Sequence, residues 1–404
     1  MLTKTIAPEK QQAFSKEMEA ELVNILQYWT NHAVDEEHGG FFGKIDNNNT
    51  VHKRAPKNAI LSSRLLWTFA KACNFYEDRS YDGPCLRAFE YLYDNFKDPY
   101  YGGLYWEVDF EGQPVDKRKQ VYAQAFAIYA LSEYYKYSKN PDAAVWANNL
   151  FDLIETYSRD QKTGGYWEAF NEKWGPSEDM RLSEKDLNAP KTANTHLHIL
   201  EAYTTYYEVN RSKRVRDAIQ YLIELFLKEF FDGNNHLKLF FSKDWKSLSH
   251  EISYGHDIEA AWLLLVAART IEDDDLIEST EECLKEVAKT FINEALDKDF
   301  GVINAKDAET NKTDPDRHWW AQAEAIVGLL YNWTITNDSN YFRISEQIWA
   351  FIATFIIDRK NGEWFFRVDR AGTPYGSENK IGPWKCPYHN TRALMEAIDL
   401  LKHG

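Results

Sequence analysis

The stretch DPYYGGLYWEVD at residues 98–109 is one of six related segments whose recurrence decides the fold of this chain. Each segment places a turn-forming Asp or Asn and a Gly before alternating apolar residues, which is typical of a β-hairpin. The other five are DEEHGGFFGKID (35–46), DQKTGGYWEAF (160–170), FDGNNHLKLFF (231–241), KDFGVINAKD (298–307) and DRKNGEWFFRVD (358–369). With one Gly in each as a marker, successive segments lie 61 to 68 residues apart, so six units account for nearly all 404 residues.

Between the repeated segments, apolar residues recur with the 3.6-residue period of an amphipathic helix. A closed ring of such helices buries every apolar face, whereas an open solenoid needs polar caps, and neither end of this chain resembles one. The sequence therefore predicts a single domain over residues 1–404. Its fold class is all-α, an (α/α)6 barrel of six helical hairpins with short β-hairpins in the connecting loops. The predicted helices, two per repeat, are 11–32, 58–76, 83–96, 118–137, 141–157, 192–209, 212–229, 254–271, 275–292, 319–335, 340–356 and 387–402.

The even-numbered predicted helices carry fewer charged residues than the odd-numbered ones, as in QVYAQAFAIYALSEYY at 120–135. They are therefore assigned to the inner ring of the barrel. Their first turns nevertheless carry polar or aromatic side chains, and burying such groups is costly unless they are paired or used. This convergence predicts a functional pocket at one end of the barrel. The residues concerned are Arg64, Tyr122 with Gln124, Asn194 with His198, His256 with Glu259, Trp320 with Glu324, and His389 with Arg392.

Composition and charge argue against several classes of protein. The net charge of −16 disfavours binding to nucleic acid, which requires clustered Lys and Arg, and to anionic membranes. Four scattered cysteines, no apolar run of 18 residues and no apolar leader in the N-terminal residues predict a cytoplasmic protein. Phosphate-loop, dinucleotide and serine-hydrolase motifs do not occur, so no cofactor is expected. Aromatic residues make up 15% of the chain, which favours either stacking on sugar rings or a densely packed helical core.

Two histidines on the inner helices are candidates for acid–base work. His256 and Glu259 are three residues apart on one helix face, so the carboxylate could hold the imidazole in one tautomer. The same pair could ligate a metal, but the known bundle motif needs a second copy that this chain lacks. A satisfied core histidine is the other alternative. His198 shares the polar side of its helix with Asn194, whereas His196 faces the other side and is assigned to packing.

The last predicted helix adds a third histidine. Pro387 fits a first-turn position, so His389 and Arg392 fall on the first turns, and Trp384 lies just upstream. Imidazole titrates near neutral pH and can both remove and return a proton. Arginine can stabilise a developing enolate oxygen without losing its own proton. The constellation therefore predicts proton abstraction next to a carbonyl, which on a sugar means aldose isomerisation or C2 epimerisation.

Two other classes of function stay open on the residues alone. An inverting glycoside hydrolase would use Glu259 and Glu324 as acid and base around a water molecule, but three inward histidines would then be surplus. A noncatalytic glycan-binding barrel has still less need of three histidines. Incubation with cellobiose separates all of these, because each class gives a different product or none.

One repeat carries an insertion, PSEDMRLSEKDLNAPK at 176–191, just before the helix that supplies Asn194 and His198. Long loops in compact domains commonly form lids or binding loops, although a solvated surface excursion is the alternative. We expect this segment to fold over the pocket mouth. It would bring Asp186 close to the sugar or to a catalytic histidine.

Segments on all six inner helices resemble those of cellobiose 2-epimerases, within the wider N-acylglucosamine 2-epimerase superfamily. They are SSRLLWTFA (62–70), KQVYAQAFAIYALSEYY (119–135), KTANTHLHILEAYT (191–204), SYGHDIEAAWLLL (253–265), HWWAQAEAIVGLLY (318–331) and GPWKCPYHNTRALMEAI (382–398). The resemblance runs from about residue 12 to 402. It implies an (α/α)6-barrel isomerase, free of metal and nucleotide. Its activity would be the interconversion of glucose and mannose at C2 of the reducing end of β-1,4-linked disaccharides such as cellobiose, lactose and mannobiose.

The resemblance also implies roles for the matching residues. His256 and His389 would form the acid–base pair, and His198 would assist ring opening, although which histidine takes the C2 proton stays open. Arg64 would hold the enediolate oxygens. Glu259 and Glu324 would orient the histidines and the sugar hydroxyls. The residues expected to contact the sugar are Tyr122, Asn194, Asp186, Trp262, Trp320, Trp384 and Arg392.

We expect a monomer whose only partner is a small-molecule disaccharide. The alternative within the isomerases is a monosaccharide enzyme of the same barrel, either a 2-epimerase acting on N-acylglucosamine or an aldose–ketose isomerase acting on mannose.

Overall fold

Helices dominate the computed structural model, which describes residues 6–403. Each lies within a few residues of its predicted position. Three of the outer helices continue into one π-helical turn each, at Ile154–Ser158, Phe226–Phe230 and Ile352–Ile356. The twelve helices of the described chain are α1 (Pro8–His32), α2 (Ala59–Tyr76), α3 (Asp82–Asn95), α4 (Val121–Ser138), α5 (Pro141–Leu153), α6 (Ala193–Val209), α7 (Lys213–Leu225), α8 (Tyr254–Thr270), α9 (Asp274–Glu294), α10 (Trp319–Thr336), α11 (Ser339–Phe351) and α12 (Tyr388–His403).

The even-numbered helices form a closed inner ring. Each packs against the next in the order α2, α4, α6, α8, α10 and α12, and α12 packs against α2. The odd-numbered helices lie outside, and α1 packs on α12, so the first and last helices of the chain join its two ends. Burial follows this arrangement, because α4 is buried without a break from Val121 to Tyr134 while α7 buries only one face. The predicted (α/α)6 barrel is confirmed.

Short strands lie at the end of the barrel where the inner helices begin. Each repeated segment closes its turn with an isolated bridge, for example Lys97 with Leu104 and Arg159 with Tyr166. The strands are β1 (Ile45–Asp46), β2 (Lys57–Asn58), β3 (Glu107–Val108), β4 (Pro114–Asp116), β5 (Lys119–Gln120), β6 (Ala169–Phe170), β7 (Lys191–Thr192), β8 (Phe240–Phe241), β9 (Glu251–Ser253), β10 (Ala305–Asp307), β11 (Thr313–Asp314), β12 (Arg317–His318), β13 (Arg367–Val368) and β14 (Asn379–Ile381).

Most of the strand pairing links neighbouring repeats. The strand that precedes an inner helix pairs antiparallel with a strand in the turn segment of the next repeat. The pairs that follow this rule are β2 with β3, β5 with β6, β7 with β8, β9 with β10, β12 with β13 and β14 with β1. Hairpins within one repeat, as the sequence predicts, are β3 with β4 and β10 with β11. The inter-repeat pairs fix the position of each inner helix along the barrel axis relative to its neighbour.

Buried ion pairs anchor the start of five inner helices. A Lys or Arg in the strand before the helix bonds a carboxylate at the start of the turn segment of the same repeat, and the cation is almost completely buried. Where the helix begins two residues after the cation, as in α2, α4, α6 and α10, the pair also fixes the height of the first turn, whereas α12 begins eight residues after Lys380. The pairs are Lys57 with Asp35 (2.8 Å), Lys119 with Asp98 (2.7 Å), Lys191 with Asp160 (2.9 Å), Arg317 with Asp297 (2.9 Å) and Lys380 with Asp358 (2.5 Å).

The fourth residue of several inner helices holds the turn of its own repeat. Gln124 Oε1 accepts from the backbone N–H of Leu104 at 2.7 Å, and His196 Nε2 accepts from that of Tyr166 at 2.8 Å. A Cβ at Gly165, whose φ is +77°, would lie 2.8 Å from His196 Nε2, so only glycine fits there. Burial lowers the pKa of His196 to about 3, which suits a neutral acceptor. His196 therefore has the packing role assigned from the sequence, and Gln124 is structural as well.

Candidate active site

The first turns of the six inner helices meet at the end of the barrel that carries the long connections. Ten buried or half-buried polar and aromatic side chains come together there, and hydrogen bonds or ring contacts join them. All ten lie on the inner helices, and the sequence analysis singled out every one of them except Glu201. They are Arg64, Tyr122, His198, Glu201, His256, Glu259, Trp320, Glu324, His389 and Arg392.

Arg392 is the centre of this group. Its Nη2 lies 2.5 Å from Glu259 Oε1 and 2.6 Å from Glu324 Oε1, and its Nη1 bonds Glu201 and the hydroxyl of Tyr388. The three carboxylates come from α6, α8 and α10, so one guanidinium ties three inner helices to α12. Burial alone would raise the pKa of Glu201, but Arg392 lowers it overall. Arg392 thus serves the carboxylates, with both terminal nitrogens engaged, rather than offering them to a sugar.

Glu324 links this ion-pair group to His389. The Nδ1 atom of His389 lies 2.7 Å from Glu324 Oε1, and Glu324 Oε2 accepts from Trp262 Nε1 at 3.1 Å. Burial, together with the nearby Arg64 and Arg392, holds the pKa of His389 well below its ordinary value despite the opposing effect of Glu259. His389 is therefore neutral at pH 7. With Nδ1–H donated to the carboxylate, its Nε2 is available as a base.

His198 is held in the same way by its own helix. Its Nδ1 lies 2.8 Å from Glu201 Oε2, one turn further along α6. The Tyr388 hydroxyl donates to that carboxylate at 2.6 Å. Burial lowers the pKa of His198, although Glu201 opposes the effect. Glu201 and Tyr388 were not singled out as functional residues from the sequence, although His198 and Glu201 show the same H-x-x-E spacing as His256 and Glu259.

His256 has a different partner from the one expected. Its Nδ1 lies 2.7 Å from Ser253 Oγ, at the residue before α8, and burial lowers its pKa to about 4. The expectation that Glu259 holds His256 is wrong, because Glu259 turns inward to Arg392 and lies 3.9 Å from Nδ1 of His389. Sharing a helix face did not decide the partner, since a buried cation attracts the carboxylate more strongly than a neutral imidazole does.

Arg64 lies on the opposite side of the group, against α4. Its Nη2 donates to the Tyr122 hydroxyl at 2.8 Å, and its guanidinium lies over the rings of Phe126 (4.3 Å) and Tyr388 (4.8 Å). Its Nε is buried and makes no hydrogen bond in the described chain. Arg64 is thus a cation held largely by aromatic faces, and no carboxylate within residues 6–403 forms an ion pair with it. Such a cation is free to balance negative charge on a substrate.

Aromatic rings surround the histidines. Trp320 lies between two of them, with its ring 4.7 Å from that of His256 and 5.6 Å from that of His389. Trp384 lies 6.0 Å from Tyr122 on the other side of the pocket, and both tryptophans are half-buried, so each exposes part of a ring. Trp262 is fully enclosed, with its N–H on Glu324. Its position makes Trp262 a support for that carboxylate rather than a platform for a sugar.

A cavity of about 130 Å³ adjoins His256 at the mouth of the barrel. Asn194 lines it, and the buried Oδ1 of Asn194 makes no hydrogen bond in the described chain. The insertion at 176–191 forms one wall through six residues, one of them Asp186, whose Oδ2 accepts from Ser183 N at 2.9 Å. Asp186 and His256 therefore line the same cavity, while a contact of Asp186 with the sugar or with a catalytic histidine stays a prediction.

Glu168 is a further buried carboxyl group on this cavity that sequence reasoning missed. Its oxygens accept from Thr192 N at 2.7 Å and from Thr195 Oγ1 at 2.5 Å, so it caps the first turn of α6. Burial raises the pKa of Glu168 to about 8. The only signal was a Glu at the position where the neighbouring repeats carry Trp106 and Leu239. The backbone carbonyl at each of these positions accepts from the first residue of the preceding inner helix.

Three side chains of the group could in principle hold a metal ion. Glu259, Glu324 and His389 bring three ligand atoms within 4.8 Å of one another. The Nη2 of Arg392, however, binds the same two carboxylates at 2.5 and 2.6 Å. A guanidinium therefore takes the position of a cation and repels a second one. The donor set fits a proton-transfer site balanced by arginine better than a metal centre.

Comparisons with known proteins show the family and the fold of this chain. The N-acylglucosamine 2-epimerase family matches residues 40–393. The cellobiose 2-epimerase of Bacteroides fragilis is 42% identical over 385 residues, covering 95% of this chain and 98% of that protein. The solved structure of a cellobiose 2-epimerase from Bacillus thermoamylovorans superposes with a TM-score of 0.92 at 38% identity, covering 96% of this chain and 99% of that one. A D-mannose isomerase of Marinomonas mediterranea is 23% identical over 404 residues, covering 95% of this chain and 97% of that protein. Within residues 6–403, no helix combines the length and apolar character needed to span a membrane.

Proposed function

This chain belongs to the N-acylglucosamine 2-epimerase family, and we propose that it is a disaccharide 2-epimerase. It would interconvert glucose and mannose at the reducing end of β-1,4-linked disaccharides such as cellobiose, lactose and mannobiose. Similarity to cellobiose 2-epimerases over nearly the full length supports this choice, since the D-mannose isomerase is only 23% identical. The observation that carries the proposal is that three histidines, each with Nδ1 held by a neighbouring side chain, belong to the same group of side chains as Arg64.

The reaction begins with opening of the reducing-end pyranose, which exposes the C1 aldehyde. His198, held by Glu201, assists by moving a proton between the ring oxygen and the C1 hydroxyl. The aldehyde makes the C2 proton acidic. Nε2 of His389 then removes that proton, and Glu324 stabilises the resulting imidazolium through the bond to Nδ1.

Loss of the C2 proton places negative charge on the C1 oxygen of a cis-enediolate. Arg64 stabilises this charge, because its guanidinium is enclosed by aromatic faces and has no carboxylate partner. Tyr122 fixes the direction of the guanidinium through a 2.8 Å hydrogen bond. The positive charge is in place before the reaction, so little reorganisation is needed in the transition state.

A proton returned to the opposite face of C2 completes the epimerisation. His256 packs against the same Trp320 ring as His389. It would deliver that proton as an imidazolium, which must first take up a proton because burial lowers the pKa of His256 to about 4. Rotation about C2–C3 followed by return from His389 is the other route. C2 loses one proton and regains one, so the reaction needs no oxidant or reductant.

Incubation of the protein with cellobiose in D₂O tests the proposal. We expect glucosyl-mannose carrying deuterium at C2, detected by chromatography and NMR. Glucosyl-fructose would indicate an aldose–ketose isomerase, and free glucose would indicate a hydrolase. Conversion of mannose or N-acetylglucosamine, with cellobiose untouched, would indicate a monosaccharide enzyme. Turnover should also survive exhaustive chelation with EDTA, and its loss and restoration by one divalent ion would contradict the arginine-balanced site.

A further inference from the structure

The turn segment of the sixth repeat (358–369) differs at one position from those of the second (98–109) and third (160–170) repeats. The backbone N–H of Asp358 donates to the carbonyl oxygen of Glu363 at 2.8 Å, whereas the equivalent bonds end on the glycines Gly103 and Gly165. All three residues have left-handed φ, at +60° for Glu363, +78° for Gly103 and +77° for Gly165. This conformation disfavours any residue with a Cβ. Interactions of the Glu363 side chain must therefore offset the cost of this backbone conformation.

The Glu363 side chain is the centre of a buried polar cluster. One oxygen accepts from Trp29 Nε1 at 3.2 Å and from Asn390 Nδ2 at 2.9 Å. The other forms an ion pair with Lys385 Nζ, and both charged side chains are at most 1% exposed. Trp29 belongs to α1 and Asn390 to the first turn of α12. A glycine could make none of these bonds.

Lys385 lies at the end of a five-residue insertion that the second and third repeats lack. In those repeats the lysine that anchors the inner helix precedes the residue holding the turn by five positions, as Lys119 precedes Gln124. In the sixth repeat the anchoring lysine is Lys380, and Asn390 follows it by ten positions. The extra residues lie between Ile381, which ends β14, and Tyr388, which begins α12, and Trp384 is in this segment.

We propose that the buried pair of Glu363 and Lys385 positions Trp384, by clamping this insertion between the turn of the sixth repeat and the first turn of α12. The clamp lies directly next to Trp384 in sequence, and Trp384 lies 6.0 Å from Tyr122 at the pocket. Glu363 and Lys385 are thus positioning residues, which act on the sugar only through the tryptophan. The expected effect of the clamp on KM for cellobiose rests on the proposed function.

The test compares Lys385→Met with Lys380→Met. Both variants delete a buried lysine paired with a carboxylate of the same turn, but only Lys385 belongs to the clamp. Both should lower Tm. Only Lys385→Met should speed hydrogen exchange in the peptide covering 381–389 and raise KM for cellobiose about tenfold, with kcat changed less than about threefold. Lys385→Met added to Trp384→Ala should raise KM no further, because the platform is already gone.

Each result decides the matter. Unchanged exchange in the Lys385→Met variant, or equal changes in both variants, would overturn the clamp. Faster hydrogen exchange with an unaltered KM would also overturn it. The same holds if the double variant raises KM by the product of the two single effects. If Lys385→Met does not fold, Glu363→Gln keeps an acceptor for Trp29 and Asn390 but loses the ion pair with Lys385. It should show a change of the same kind, and the absence of any change would count against the clamp. A wild-type protein inactive on every disaccharide would refute the proposed function, while hydrogen exchange would still test the clamp.

Discussion

The Nδ1 atom of His389 lies 2.7 Å from Oε1 of Glu324, and that same oxygen accepts from Nη2 of Arg392 at 2.6 Å. One carboxylate oxygen on α10 therefore orients an imidazole on α12 and balances the buried guanidinium beneath it. The other oxygen is fixed by Trp262. The orientation of His389 thus depends on three inner helices. Its basicity depends on a carboxylate that it shares with Arg392.

We expect Glu324→Gln to lower kcat on cellobiose by about 10²-fold or more with little change in KM. The amide can still accept a hydrogen bond from His389 Nδ1, but it cannot stabilise the imidazolium that forms when His389 takes the proton. Steady-state kinetics measure the effect. Glu396→Gln, a carboxylate on α12 that bonds Tyr331 instead, is the control and should keep full activity. A Glu324→Gln enzyme with normal kcat would remove Glu324 from the mechanism.

We expect His389→Ala and His256→Ala each to lose about 10²–10⁴-fold in turnover while remaining folded by circular dichroism. Both side chains adjoin the pocket on the first turn of an inner helix, so truncation enlarges a polar site and leaves the apolar core intact. His32→Ala, on the exposed face of α1, is the matched control. Retention of more than about a tenth of the activity by either folded variant would end its assignment as an acid or base.

The partners of the catalytic side chains were harder to foresee than their positions. Helical periodicity placed His256 and Glu259 on one face, because spacing along a helix is a local property. It could not show that Arg392, 133 residues away, binds Glu259, or that Ser253 binds His256 instead. The family resemblance led us to expect Trp262 at the sugar, whereas it lies beneath Glu324. Partner choice depends on which helices face each other across the barrel.

The anchoring pairs at the mouth of the barrel show a signal that was present but not used. A Lys or Arg stands two residues before α2, α4, α6 and α10, Lys380 holds the equivalent strand position before α12, and an Asp stands at the start of each corresponding turn. The pairing of Lys57 with Asp35 and of Lys119 with Asp98 follows from this repetition once the repeats are aligned. Strand pairing between repeats was not accessible in this way, because strands of two or three residues carry too little pattern to specify a partner.

We expect Arg392→Met to reduce the free energy of unfolding by about 3–5 kcal/mol near pH 7, because three buried carboxylates lose their cation. Arg392 lowers the pKa of Glu201, and its loss lets that pKa rise above the unfolded value. The native variant then binds protons that the unfolded chain does not, so its stability falls as pH rises. Urea denaturation at pH 5 and 7.5 measures this. Arg79→Met, which removes an exposed ion pair, should cost less than about 1 kcal/mol, and an equal loss in both variants would contradict the prediction.

We expect Glu168→Gln to stabilise the protein increasingly between about pH 5 and pH 8. Burial raises the pKa of Glu168 from about 4.5 to about 8, so over this interval the native state holds a proton that the unfolded chain has released. The wild-type free energy of unfolding therefore falls as pH rises, by about 1.4 kcal/mol per pKa unit at most, and glutamine removes that fall. Glu184→Gln, at an exposed site in the adjacent loop, should leave the curve unchanged. Parallel pH–stability curves for wild type and Glu168→Gln would show that Glu168 is ionised.

The final prediction concerns the insertion at 176–191, which walls the cavity beside His256. Leu182 is almost buried, and the carbonyl of Arg181 accepts from Gln120 Nε2 at 2.8 Å, so the segment is fastened to the start of α4. Replacing residues 178–185 with a short Gly/Ser link should raise KM for cellobiose and lower kcat, because the open mouth would admit water to the enediolate. Glu184→Ser and Lys185→Ser, which alter exposed side chains of the same segment, should have no effect. Kinetic constants unchanged by the replacement would show that the segment is only surface, since a wall that contributes nothing to affinity or to water exclusion cannot act as a lid.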